Sequence, residues 1–168
     1  MSTEKVLERA TLVFLIRRRQ VLLARKTRHI GSGRWNGYGG GLNLKEDLIS
    51  GIVRECNEES NIRLDPAGLI KMAEVTFHNN KTDGGKFSCL VHVFTAERWE
   101  GEPHDSEEMA TPTWFAFDEL PFDEMMPADR IWLPLILSDQ LIVGEAEYTP
   151  FQRSLLRPMI ITRVASFT

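Results

Sequence analysis

Glu55, Glu58 and Glu59 are spaced i, i+3 and i+4, so on a 3.6-residue helix their carboxylates share an arc of roughly 100°. Adjacent carboxylates repel one another, and in a partly enclosed site one of them keeps its proton unless a cation joins the group. A divalent ion resolves that conflict. An all-oxygen ligand set selects the hard ions Mg²⁺, Mn²⁺ or Ca²⁺, and no Cys/His pairs at zinc spacing stand nearby. A solvated acidic helix face would carry the same E-x-x-E-E, so the surroundings of the glutamates matter. Upstream, Gly31, Ser32, Gly33, Gly37, Gly39, Gly40 and Gly41 are interleaved with Arg34, Trp35, Asn36 and Tyr38. Such a segment lets backbone come close to a ligand.

Written out, Gly40-x5-Glu46-x7-Arg54-Glu55-Cys56-x-Glu58-Glu59-x-Asn61-Ile62 resembles the Nudix box, G-x5-E-x7-R-E-U-x-E-E-x-G-U, at every fixed position but one, U being a bulky apolar residue. Cys56 takes the first apolar site. Asn61 replaces the last glycine, whose backbone conformation asparagine can mimic. A 23-residue pattern with this many fixed positions is far more specific than a lone glycine-rich loop.

The resemblance implies the Nudix fold, an α/β/α sandwich with a mixed β-sheet, and Mg²⁺-dependent cleavage of a nucleoside diphosphate derivative, with Mn²⁺ as a substitute. It implies that Glu55, Glu58 and Glu59 hold metal, with the Gly40 carbonyl as a further ligand, and that Arg54 and Glu46 brace loop and helix. Metal offsets phosphate charge and acidifies an attacking water. Either Glu58 or Glu59 would then serve as general base.

The likeness extends over roughly residues 10–137. Gly33-Arg34-Trp35-Asn36-Gly37-Tyr38-Gly39-Gly40, Val91-His92-Val93-Phe94, Trp114-Phe115, Leu120-Pro121-Phe122 and Trp132-x-Pro134-Leu135 are similar to the MutT-like oxidised-purine nucleoside triphosphatase group, which removes pyrophosphate to leave the monophosphate. By position, Asn36 would read the base edge, because an amide both donates and accepts. Thr11, Lys26 and Ile30 would line the pocket, and Glu108 would add a carboxylate to the metals, with Glu107 as the alternate. The group's tryptophan and paired aspartates fall at Met126 and at Ala128-Asp129, so Met126 replaces an aromatic platform and only Asp129 remains to meet the base. The alternatives are another nucleotide substrate, such as an unmodified triphosphate or a nucleotide sugar, and a non-catalytic nucleotide sensor.

These residues need elements to position them. Residues 10–16 and 21–26 form two apolar strands around the charged Arg17-Arg18-Arg19-Gln20, which reads as a hairpin with a solvated tip. Leu48, Ile52 and Cys56 recur at four-residue spacing, with Ile49 and Val53 alongside, giving a helix from near Glu46 to Ser60 or Asn61. Residues 69–77 and 86–97 read as strands joined by a long polar turn over 79–85. Residues 100–111 are acidic and turn-rich. They precede an apolar strand at 113–117, a helical turn at 118–120, a second amphipathic helix at 128–137 and strands at 141–148 and 158–164. Hairpins interleaved with two helices point to a mixed sheet. Trp114 and Trp132 read as core, Trp35 either as a loop anchor or as a stacking partner, and His78 and His92 as strand residues remote from the helix.

With 168 residues, 42% hydrophobic and 26% charged, the chain fits one domain spanning 1–168. Twenty Lys plus Arg against 24 Asp plus Glu leave a net charge of −4, the wrong sign for gripping polymeric nucleic acid; the partner that the resemblance implies is a small nucleotide. No apolar stretch approaches the ~20 residues of a membrane helix. The first ten residues, with Glu4, Lys5, Glu8 and Arg9, do not read as a leader, and Cys56 and Cys89 read as reduced, so the expected compartment is the cytoplasm. Monomer and dimer remain equally open.

Overall fold

The computed structural model describes residues 5–167, with side chains from residue 8 onward. Met1–Glu4, on which part of the leader reading rests, lie outside the described residues. The elements in chain order are β1 (Lys5–Arg17), β2 (Gln20–Lys26), β3 (Trp35–Asn36), β4 (Tyr38–Gly41), α1 (Leu48–Ser60), β5 (Arg63–Leu64), β6 (Leu69–Asn80), β7 (Lys86–Ala96), β8 (Trp99–Glu100), β9 (Met109–Ala116), α2 (Asp129–Leu137), β10 (Ile142–Tyr148) and β11 (Ile160–Arg163). The main sheet runs β11-β10-β6-β7-β1-β2-β3, with β4 also paired to β1 and β9 to β2. The β1–β7 and β10–β6 pairs are parallel and the rest antiparallel. The sheet is therefore mixed, as the interleaved hairpins lead one to expect.

Successive residues of a strand face opposite sides of the sheet, and β1 shows how this builds two cores. Phe14 joins Trp132, Leu133 and Ile136 of α2 on one side. Val13 and Leu15 join Tyr38 of β4 and Ile52 and Cys56 of α1 on the other. Each such side chain contributes roughly 1.5–3 kcal/mol when fully buried. The two helices thus cover opposite faces of one sheet, the α/β/α arrangement of the Nudix fold.

Helix α1 starts at Leu48, two residues later than its periodicity suggests, because Asp47 is the cap: its side chain accepts the Ser50 N–H at 2.8 Å. Glu46 is engaged elsewhere. At the other end Asn61 takes the left-handed conformation with φ 66°, and its N–H returns to the Asn57 carbonyl at 2.8 Å. The expected asparagine C-cap is present. The arginine tip closes the β1–β2 hairpin as a two-residue turn with Arg18 and Arg19 both at positive φ, which suits the twist of the flanking strands.

Four expectations need correcting. The turn between β6 and β7 covers only 81–85, because Asn79 and Asn80 remain paired to Phe87 and Lys86. The expected helical turn at 118–120 is a non-helical turn, and a turn of 3₁₀-helix falls instead at Phe122–Glu124, after Pro121. Strand β9 begins at Met109, inside the stretch read as turn-rich, because those residues pair with β2. Trp114 is only partly buried, stacked on Trp99 at 5.9 Å. Trp132 is core as expected, and Trp35 is a buried anchor packed edge-on to Phe115 and covered by the Arg25 guanidinium. Both cysteines are free thiols. Among the described residues no helix is long and apolar enough to cross a membrane.

Candidate active site

Strand β4 lies antiparallel to β1 with Thr11 opposite Gly40 and Leu12 opposite Gly39, which brings the glycine loop against the start of the site. A side chain at Gly39 would collide with the Thr11 carbonyl, and a Cβ at Gly40 would stand 2.7 Å from the Glu55 carboxylate. These glycines are required by close approach, since backbone and a charged side chain already occupy the space. The Gly39 N–H donates to Glu59 Oε1 at 2.7 Å, so loop and helix are joined by a buried acid.

Burial pushes the Glu59 carboxyl up to about 7, with Glu55 and Glu108 adding to the rise and the Gly39 N–H and Lys26 opposing it. Glu55 is raised in the same sense by burial, and by Glu58 and Glu108, against Arg54. Glu58 is largely exposed on the rim. Arg54 is the counter-charge: Nε and Nη2 form a fork onto both oxygens of Glu46 at 2.8 and 2.9 Å, and Nη1 reaches Glu55 at 2.9 Å and Glu58 at 3.2 Å. Glu46 in turn accepts the Asn43 N–H at 2.9 Å, and the Arg54 fork holds its carboxyl down at about 2. A bidentate guanidinium–carboxylate pair fixes orientation as well as charge.

In this arrangement, no three acidic, His or Cys side chains among the described residues converge tightly enough to hold a metal ion; Arg54 engages Glu55 and Glu58 instead. The donor set nevertheless suits a hard divalent ion. It is all oxygen, its members raise one another's proton affinity, and Gly40 leaves Glu55 a cradle without a Cβ. Of the two alternates on the loop before β9, Glu108 carries the charge that Glu55 and Glu59 both feel, whereas Glu107 is almost fully exposed. Glu108 is paired with Arg28 at 3.1 Å.

From Glu59 a cleft of about 350 Å³ runs between the sheet and the loop 28–34. Thr11, Lys26, Ile30, Asn36, Met126 and Asp129 all line it, so the six residues singled out from sequence are gathered in one space. Asn36 uses its own Oδ1 to accept the Gly37 N–H at 2.8 Å, leaving chiefly its Nδ2 donors for a ligand. Asp129 is 3% exposed. Its Oδ1 accepts from Trp132 Nε1 at 3.2 Å, while Oδ2 has no partner, and burial pushes the carboxyl up to about 7 against Trp132 and Arg34. Thr11 Oγ1 is likewise buried and unsatisfied. Buried polar atoms without partners are costly, and two in one cleft mark it as built for a polar ligand.

Residues 6–136 match the NUDIX domain family. The chain belongs to the Nudix family. It is 38% identical over 152 residues, 90% of each chain, to the oxidized purine nucleoside triphosphate hydrolase of Danio rerio. To the protein of the same name from Mus musculus it is 36% identical over 148 residues, 88% of this chain and 89% of the relative. Among solved structures it is similar to the MutT protein of Bacillus halodurans, with TM-score 0.75, 26% identity, and 92% and 97% of the two chains covered. As a Nudix hydrolase, it carries the box in the loop–helix unit from Gly40 to Ile62.

Several cleft residues of this Nudix domain escape sequence reading. Phe77 and Tyr148, from β6 and β10, stack with ring centroids 5.6 Å apart, and Trp132 of α2 and Arg34 complete the walls. Arg34 shares the parity of Asn36 on either side of Trp35, which is a usable signal. Tyr148 has none, because only the parallel β10–β6 pairing brings it to Phe77. His29 also lines the cleft. His92 is buried, 3.9 Å from Glu74, and burial lowers its pKa; His78 bridges Ser88 and Glu145 at 2.6 Å each.

Proposed function

We propose that this Nudix hydrolase is a Mg²⁺-dependent pyrophosphohydrolase of oxidised purine nucleoside triphosphates, releasing the monophosphate and pyrophosphate to cleanse the nucleotide pool. The observation that carries the reading is one cleft with two distinct polar ends, the clustered carboxylates around Glu59 at one and the isolated, unpartnered Asp129 Oδ2 at the other. A nucleotide has that polarity: phosphates for the first end, a base with donors and acceptors for the second. Two relatives named as oxidized purine nucleoside triphosphate hydrolases, similar over about nine-tenths of the chain, support the substrate class.

Glu55, Glu58, Glu59 and the Gly40 carbonyl would hold the ion, with Glu108 beside them. A bound Mg²⁺, or Mn²⁺ in its place, offsets phosphate charge and lowers the pKa of an attacking water. Arg54 and Glu46 keep the loop and helix in register. Water attacks phosphorus, the bond to the bridging oxygen breaks, and the carboxylate of Glu58 or Glu59 accepts the water's proton. Lys26, near Glu59, faces the polyphosphate. At the far end Asn36 donates from Nδ2 and Asp129 meets the base, while Thr11, Ile30 and Met126 shape the walls.

Met126 and Ala128 leave the base fewer specific contacts than an aromatic platform and an aspartate pair would, which favours, as second reading, the same chemistry on an unmodified triphosphate or a nucleotide sugar. Pyrophosphate release across a panel of oxidised and normal purine triphosphates separates the two. Turnover of an oxidised guanine triphosphate no faster than of its parent overturns the sanitation reading. Two free thiols and a net charge of −4 support a working place in the cytoplasm, on small nucleotides and not on polymers.

A further inference from the structure

The two walls of the cleft are unlike. The sheet wall presents Phe77, whose ring is backed by the fully buried Tyr148, the two parallel to within 4°. The loop wall presents Arg34 and Met126. Arg34 Nη1 donates to Met126 Sδ at 3.0 Å, and Met126 is also closed in by the loop backbone, since a Cβ on Gly31 would stand 3.4 Å from the same sulfur. A thioether is a weak, uncharged acceptor. It steers the guanidinium without neutralising it. Arg25, Arg28 and Arg54 all reach carboxylates, whereas Arg34 forms no salt bridge among the described residues. The acid that feels its charge is Asp129, which burial pushes toward the neutral form. Arg34 is thus a half-buried planar cation with donors to spare, held at the edge of a slot whose other side is aromatic.

We propose that Arg34 is a specificity-determining residue, its guanidinium plane forming the loop-side platform for the substrate's base opposite Phe77. This rests on the reading of the cleft as a nucleotide site. A guanidinium plane stacks on bases as an aromatic ring does, and adds attraction for an electron-rich face and for ring carbonyls. The favoured class is therefore a purine carrying both a ring carbonyl, whose oxygen attracts the cation, and an amino group, ahead of one with an amino group alone. Met126 acts through Arg34, as a positioning residue.

The test is equilibrium binding by calorimetry, without metal, of two probes: the monophosphate of oxidised guanosine and ribose 5-phosphate. Arg34→Met is expected to weaken the monophosphate about tenfold, the range for loss of one base-stacking partner. Ribose 5-phosphate should change by less than about twofold, since no base is there to stack. Arg34→Lys, which keeps charge and loses the plane, should behave as Arg34→Met does. Wild-type affinity in Arg34→Lys overturns the platform, and so does equal weakening of both probes, which would mark Arg34 as a prop for its loop. The failure of the proposed activity is distinguishable: a wild type that binds the monophosphate and does not cleave the triphosphate overturns the activity and leaves the Arg34 comparison intact. No binding of the monophosphate by the wild type overturns both.

Discussion

The buried carboxylate of Glu59 accepts the Gly39 N–H at 2.7 Å, tying the last turn of α1 to the strand that borders the cleft. A single acid thus serves two masters, the loop that must approach phosphate closely and the cluster that gathers charge. Burial and Glu55 both favour its protonated form, and a divalent cation beside it would favour the ionised one.

Replacing Glu58 or Glu59 by Gln should cut Mg²⁺-dependent pyrophosphate release by about 10²–10⁴-fold, the usual worth of a positioned general base, in whichever variant removes it. Glu59→Gln should leave the melting temperature equal to or above wild type at pH 8, because an amide in that buried spot has no charge to desolvate. Undiminished turnover in both variants would take these residues out of the chemistry.

Gly40→Ala should lose at least about tenfold in activity, through displacement of a ligand by under an ångström. The added methyl would stand 2.7 Å from the Glu55 carboxyl carbon and must push that side chain aside. Circular dichroism should report an intact fold. Activity within twofold of wild type would show that Glu55 tolerates the shift and matters less than its position suggests.

Asp129 gives a pH prediction whose sign follows from its burial. Its folded pKa is about 7, above the ordinary 3.8, so between those values the native state keeps a proton that the unfolded chain has released. Stability therefore falls as pH rises through that window. Asp129→Asn cannot ionise, and its unfolding free energy should gain on wild type from pH 5 to 8, by on the order of 2–4 kcal/mol, read from melting curves across that range. Glu59 titrates in the same sense and cancels in the comparison. Parallel melting curves against pH would refute the assignment.

Asn36→Ala should raise KM for purine triphosphates by roughly 5–50-fold, the worth of a lost polar contact to a ligand, and flatten the preference among bases. Steady-state kinetics on four triphosphates measure both effects. An unchanged profile would place base reading elsewhere in the cleft.

The box was legible because its spacing is local: Glu55, Glu58 and Glu59 on one helical arc, Asn61 at its end, and glycines where backbone meets side chain, whereas the Asp47 cap showed only in the structure. Thr11, Lys26 and Asn36 were reached through their positions in the resemblance, not through strand alternation, since residues 21–24 are buried in succession and β3 is only two residues long. Asp118–Leu120 misled because its composition suits a helical turn while Pro121 defers the turn to Phe122–Glu124. Strand β9 was read too short because pairing with β2, not residue preference, extends it to Met109. Tyr148 and Phe77 meet only through a parallel pairing some 70 residues apart in the chain, and nothing local announces such a contact.

The two hydrophobic cores lie on opposite faces of the sheet, with α1 rooted in one and α2, which follows Met126 and Ala128, rooted in the other. Exchanging side chains near α2 repacks its own layer and leaves the anchoring of Glu55 and Glu59 untouched. On the proposed roles of Met126, Asp129 and the α1 glutamates, base preference and diphosphate scission are separable traits, and a lineage could retune the first by a few substitutions while inheriting the second whole.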